Sequence, residues 1–149
     1  MTRRANAWAA VRGSEEHPGL LGTVKFFQTP AGVLVLAEVW GLPMPDGNDT
    51  GVFGFHVHEG RDCGDNAAGS EFGNAGGHLN PQNLPHPRHM GDLPPLLSRR
   101  GYAWSAFVDG RFTIRDILGR TVIIHAGPDD FTTQPSGAAG KMIACGVIR

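Results

Sequence analysis

What this sequence lacks narrows it early. Its longest apolar stretches, Gly32–Trp40 and Gly51–Val57, fall far short of the ~20 residues that a membrane-spanning helix needs. It has no excess of charge. Thirteen Lys and Arg against fourteen Asp and Glu leave a formal net charge of −1, so bulk electrostatics draws it neither to nucleic acid nor to an anionic membrane. Charged residues make up 18% of the chain, under the usual ~25%, which excludes a charge-rich disordered tail. No helical periodicity of useful length and no internal repeat is present. Cysteine is scarce: Cys63 and Cys145 allow one disulfide, whose closure is worth ~4–5 kcal/mol by chain entropy. The amino end carries Arg3 and Arg4, but Arg12, Glu15, Glu16 and His17 interrupt any apolar signal region. The chain as written is therefore expected in the cytoplasm, with export after trimming as the alternative. A disulfide is uncommon in the cytosol, so the two signals pull apart.

What is present points to β structure. The 149 residues suit one domain, 1–149, and Gly 22 plus Pro 11 exceed a fifth of them. Strands are predicted at Ala7–Arg12, Leu20–Gln28, Val33–Trp40, Gly51–Glu59, Thr121–His125 and Lys141–Ile148, and a hairpin joins Tyr102–Val108 to Arg111–Ile114 through Asp109-Gly110. Two long Gly-, Pro- and Asn-rich loops, Gly60–Gly101 and Ala126–Gly140, separate them, and such loops are usually functional or disordered. The fold class expected is all-β: an antiparallel Greek-key sandwich or barrel with two long functional loops. Phe27, Trp40 and Trp104 are expected in the core or an interface, more often the core.

Six of seven histidines fall in or beside the two long loops. In Phe53–His58, alternation sends Phe53, Phe55 and Val57 to the core and His56 and His58 to the other face. Two side-by-side imidazoles there are either a polar outer face or a pair of metal ligands. His78, His86, His89 and Asp92 supply three imidazoles and a carboxylate, enough for a closed tetrahedral zinc shell; the competing reading is a solvated, histidine-rich loop. His125, ending an apolar strand, by itself reads as a histidine satisfied by a backbone carbonyl.

Gly54-Phe55-His56-Val57-His58-Glu59, Gly76-Gly77-His78-Leu79-Asn80-Pro81, His89-Met90-Gly91-Asp92-Leu93, Gly119–His125 and Ala144–Ile148 together resemble the copper–zinc superoxide dismutases, in order from Trp8 to Ile148. The resemblance implies an antioxidant enzyme that converts superoxide to dioxygen and hydrogen peroxide by copper redox cycling. It implies copper ligands His56, His58, His78 and His125, and zinc ligands His78, His86, His89 and Asp92, with His78 shared. It implies that His78 delivers a proton and that Asp129 links His56 to His86. It also implies a Cys63–Cys145 disulfide and a structural Arg120. The partner implied is the superoxide anion, with a homodimer possible and neither nucleic acid nor membrane.

This sequence departs from the family at two places in the site. The family arginine three residues before the second cysteine, which guides the anion, is here Met142; Lys141 beside it, or Arg88 in the zinc loop, is the cation that would replace it. The spacing His86-Pro87-Arg88-His89 is shorter than usual. Two competing functions follow: a copper- and zinc-binding relative with little or no turnover, and a zinc hydrolase, which the closed zinc shell disfavours.

Overall fold

The computed structural model describes residues 4–149. Nine strands form: β1 (Ala7–Gly13), β2 (Leu21–Thr29), β3 (Gly32–Trp40), β4 (Thr50–Phe53), β5 (Phe55–His58), β6 (Leu96–Arg99), β7 (Ala103–Asp109), β8 (Thr121–His125) and β9 (Met142–Val147), with a one-turn helix α1 (Ile114–Ile117). Seven pair in the order β5-β8-β9-β1-β2-β3-β7, every neighbour antiparallel, and β4 pairs with β6. The last strand returns beside the first. β6 lies alongside β7, and β4 runs through Gly54 into β5, so the sheet curls into the expected Greek-key barrel.

Period-two alternation decides the core. Ala7, Ala9 and Val11 of β1, Val24 and Phe26 of β2, and Val33, Val35, Ala37 and Val39 of β3 are buried with Phe53, Phe55, Val57, Leu96, Val122 and Ile124. β5 and β8 are buried on both faces along their whole length. The face opposite the core carries His56, His58, Ile123 and His125, and the two long loops cover it.

Four expectations are corrected. The strand predicted over Gly51–Glu59 is two strands in two sheets. At Gly54 the chain leaves β6 for β8: Gly54 N–H donates to Gly127 O (2.8 Å), and His125 N–H donates to Gly54 O (2.8 Å). A Cβ at Gly54 would sit 2.7 Å from Ala139 Cβ, so the close approach of the second loop requires glycine. The hairpin after β7 does not form. Asp109 Oδ1 accepts from Arg111 N–H (2.8 Å), turning the chain away, and Asp116 Oδ2 accepts from Thr113 N–H (2.7 Å), starting α1. Phe112 and Ile117 enter the core instead. Finally, Trp104 and Trp40 are 56% and 42% exposed, not core, because both lie on the outward face of the sheet; Phe27, on the same face, is partly buried. The stretch taken as loop to Gly101 also ends in β6.

Candidate metal centre

The site is built on an edge. β5 ends the seven-stranded sheet, so one row of its backbone groups has no strand partner, and such an edge is a ready template for pairing. The first long loop uses it. Leu79 N–H donates to Val57 O (2.8 Å), Val57 N–H to Gly91 O (2.9 Å), Glu59 N–H to Gly77 O (2.9 Å) and Leu93 N–H to Phe55 O (3.3 Å). Short bridges result between His58 and His78 and between His56 and Asp92. Backbone pairing thus brings His78 and Asp92 beside the two strand histidines. On the other side, β8 places Ile123 opposite His56, and alternation puts His125, two residues on, on the same face, where the pairing with β9 becomes irregular.

Two groups of four buried side chains result: His56, His58, His78 and His125, and His78, His86, His89 and Asp92. Within each group the ligand atoms lie within 4.8 Å of one another. His78 belongs to both, its ring centroid 3.9 Å from that of His56, 5.5 Å from that of His86 and 5.3 Å from that of His89.

Four of the imidazoles, those of His56, His58, His86 and His125, have one nitrogen committed outside the centre, which leaves the other for it. His58 Nδ1 donates to Gly76 O (2.7 Å) and His125 Nδ1 to Gly140 O (3.0 Å). Their Nε2 atoms therefore carry lone pairs, yet they face each other at 3.2 Å. Asp129 accepts from His56 Nε2 and His86 Nε2, both at 2.8 Å. What remains, His56 Nδ1, His86 Nδ1 and His78 Nε2, is buried without a hydrogen-bond partner. Orphaned buried polar atoms cost about 1–3 kcal/mol each, and opposed lone pairs repel. A cation in each group relieves both, so the residues fit a metal pair.

Electrostatics agrees with the geometry. Burial, reinforced by neighbouring imidazoles, lowers the pKa of His58 to about 3, and burial lowers that of His125 to about 4. His56 is pushed down by the same causes. Neutral imidazole is the form that ligates. For Asp92, burial pushes the pKa up, but the hydrogen bond from His78 (2.7 Å) and the surrounding histidines outweigh it and hold it below the ordinary value. Four nitrogens on one side, with no carboxylate, suit copper; three nitrogens and a carboxylate suit zinc.

Sequence reading missed several supports. Gln134 holds the His86 backbone at both ends, its Oε1 accepting from His86 N–H (2.9 Å) and its Nε2 donating to His86 O (2.7 Å). Arg111, anchored on buried Asp109, donates from Nη1 to His89 O (3.1 Å) and from Nη2 to Asp92 O. Both reach backbone rather than side chain, so no motif announces them. Gly137, at φ +71°, would with a Cβ fall 2.0 Å from Asp129 Oδ1, so the Asp129 junction needs a glycine there.

The Cys63–Cys145 disulfide ties the start of the first loop to β9 across 82 residues. Arg120 Nη1 donates to Glu59 O (2.6 Å), a structural contact. A cavity of about 690 Å³ opens over the centre, lined by His58, His78, His125, Met142 and Lys141 with Glu59 and Glu71 among its other walls. Lys141 reaches this mouth, but its Nζ is ion-paired with Glu16. Arg88 lines a separate recess with Gln82 and Met90.

Comparisons with known proteins converge on one family. The copper/zinc superoxide dismutase model matches residues 20–148. A superoxide dismutase [Cu-Zn] of Legionella pneumophila is 36% identical over 140 residues, covering 89% of this chain and 80% of the relative. A superoxide dismutase [Cu-Zn] A of Xenopus laevis is 37% identical over 143 residues, covering 85% and 87%. The solved Cu/Zn superoxide dismutase from Brucella abortus superposes with a TM-score of 0.80 at 30% identity, covering 97% of this chain and all of that one.

Proposed function

This chain belongs to the copper/zinc superoxide dismutases, which are oxidoreductases, and from that membership we propose how its own residues serve the reaction. His56, His58, His78 and His125 hold copper; His78, His86, His89 and Asp92 hold zinc. The observation that carries this is the pair of buried four-ligand groups sharing His78, with ring nitrogens that no protein atom satisfies. When bound, copper supplies one-electron oxidation and reduction, and zinc a fixed charge beside it.

The net reaction takes two superoxide anions and two protons to dioxygen and hydrogen peroxide. His78 Nε2 is the buried atom at which one proton is held and passed on; the second comes from solvent through the cavity. Asp129 orients His56 and His86 together, so the two halves of the centre cannot turn independently. His78 Nδ1 and Asp92 Oδ1, 2.7 Å apart, would both turn to the zinc when it is bound. Lys141 is the ammonium at the mouth, and its pairing with Glu16 mutes the field it offers to an arriving anion.

That muted field favours a second reading, a copper- and zinc-binding relative with little turnover. Met142 replaces a cation, and Glu59 and Glu71 stand at the mouth. Stopped-flow decay of superoxide, with one copper and one zinc bound per chain and salt varied, separates the two. The dismutase reading expects catalytic decay below the diffusion ceiling of ~10⁹ M⁻¹s⁻¹ and weakly dependent on salt. Decay no faster than that of the metal-free protein overturns it in favour of the second reading. Zinc kept at full stoichiometry by Asp92→Ala after dialysis overturns the ligand assignment.

A further inference from the structure

The wall of the cavity over the centre carries a sulfur. Three of the four imidazoles of the all-nitrogen group, His58, His78 and His125, line it, and so does Met142, whose thioether is the only sulfur on that wall among the described residues. A break in strand pairing puts it there. β8 and β9 pair Ile123 with Cys145 and Ile124 with Ala144, but the next pair is His125 with Met142, so Ile143 is an extra residue on β9. Regular pairing would set Ile143 opposite His125 and send Met142 to the core face. The bulge reverses this. Ile143 is fully buried in the core, and Met142 comes to the histidine face, packed against Ile123 and Cys145. Directly opposed side chains start about 5 Å apart at Cβ. The backbone alongside holds the two segments together: Ala126 N–H donates to Lys141 O (2.9 Å), and His125 Nδ1 donates to Gly140 O (3.0 Å).

We propose that Met142 is a further copper ligand in this chain, its thioether sulfur binding Cu(I) beside His125 and His58. This rests on the copper assignment above. Position is the first argument. His58 and His125, whose Nε2 atoms face each other at 3.2 Å, line the cavity and His56 does not. The copper group therefore opens to the cavity on the side of His58 and His125, and Met142 is paired with His125. His125 belongs to the copper group alone, so the sulfur stands by copper and not by zinc. Chemistry is the second. A thioether is a soft, neutral donor that selects Cu(I). Its unbranched side chain has three rotatable bonds, so the sulfur can turn from Ile123 and Cys145 toward an ion without moving the strand. Binding uses a sulfur lone pair; no bond breaks and nothing is oxidised. Its consequence is preferential stabilisation of the reduced ion, which raises the reduction potential of the centre. A methionine that only packs against its neighbours does not discriminate between the two oxidation states.

Chelator competition with the full, zinc-loaded chain tests this, run once with Cu(I) and once with Cu(II). Met142→Leu conserves volume and packing and removes the sulfur. It should bind Cu(I) about tenfold more weakly with Cu(II) affinity unchanged, which lowers the reduction potential by ~59 mV. X-ray absorption at the copper edge should show a sulfur scatterer in the reduced wild-type chain and none in Met142→Leu. Met44→Leu, at an exposed methionine, should change none of these. Equal Cu(I) affinity in wild type and Met142→Leu, with no sulfur seen at copper, overturns the proposal and leaves the copper assignment standing. Equal loss of Cu(I) and Cu(II) affinity in Met142→Leu also overturns it, because that is the mark of disturbed packing. A wild-type chain that binds neither copper ion overturns the copper assignment and this proposal with it.

Discussion

Two sheet faces in this molecule invert the usual rule in opposite directions. On β5 and β8 the face away from the core carries His56, His58 and His125, and it is buried. On β1, β2, β3 and β7 the face away from the core carries Trp8, Leu21, Trp40 and Trp104, and it is open. Alternation is obeyed in both places. What differs is the cover: two long loops, pinned by the free edge of β5, by Cys63–Cys145 and by Asp129, close over one face, and nothing among the described residues closes over the other. Exposure therefore reflects where connections travel as much as residue type. A polar face put under cover needs partners for its nitrogens; an apolar face left open asks for a surface to meet.

The sharpest break in the comparison should come from acid. In the metal-free protein His58 and His125 have pKa values near 3 and 4, against about 6.5 in an unfolded chain. Between those values the unfolded chain binds more protons, so stability falls as pH drops through about 6.5 toward 4. The metal-free protein should unfold in that window while the metal-loaded protein holds, as followed by circular dichroism across pH. Equal acid sensitivity of the two forms would mean that the histidines are not what couples cover to metal.

Next in size is the staple. Cys145→Ser should cost up to ~4–5 kcal/mol in denaturant unfolding, the chain-entropy value for a loop of this length, and should loosen the loop side only. Asp129→Ala removes the carboxylate that holds His56 and His86 together, so affinity for copper and for zinc should fall together by about 10–100-fold in chelator competition. Loss of one metal alone would show that the halves are independent. Gln134→Ala removes two bonds to the His86 backbone and should weaken zinc binding by about tenfold, at ~1 kcal/mol per bond less what water recovers. Trp104→Gln is the control on the open face. It should change thermal stability by no more than ~0.5 kcal/mol.

Much of this was legible because the signals were local. Thr121–His125 was predicted to the residue, β2 and β3 to within one, since alternation and turn residues write strands directly into the chain. The histidines proposed as ligands stood out by type and spacing, and their family likeness ordered them. Gly54 was missed because a strand that changes sheets keeps the same alternation on both sides of the change. The hairpin was misread because Asp109-Gly110 suits more than one turn, and burial of Phe112 chose among them.

The sequence by itself determined an all-β fold, the six histidines and the aspartate offered to metal, and the cysteine pair, because residue type, period two and local turn chemistry need no knowledge of distant neighbours. Only the tertiary structure decided that His56 and His58 lie under cover. It alone decided that Gln134 and Arg111 grip ligand backbones, that Glu16 holds Lys141, and that the tryptophans face out. Each of these depends on which segments the closed sheet brings together across tens of residues, and packing, not local preference, selects those meetings.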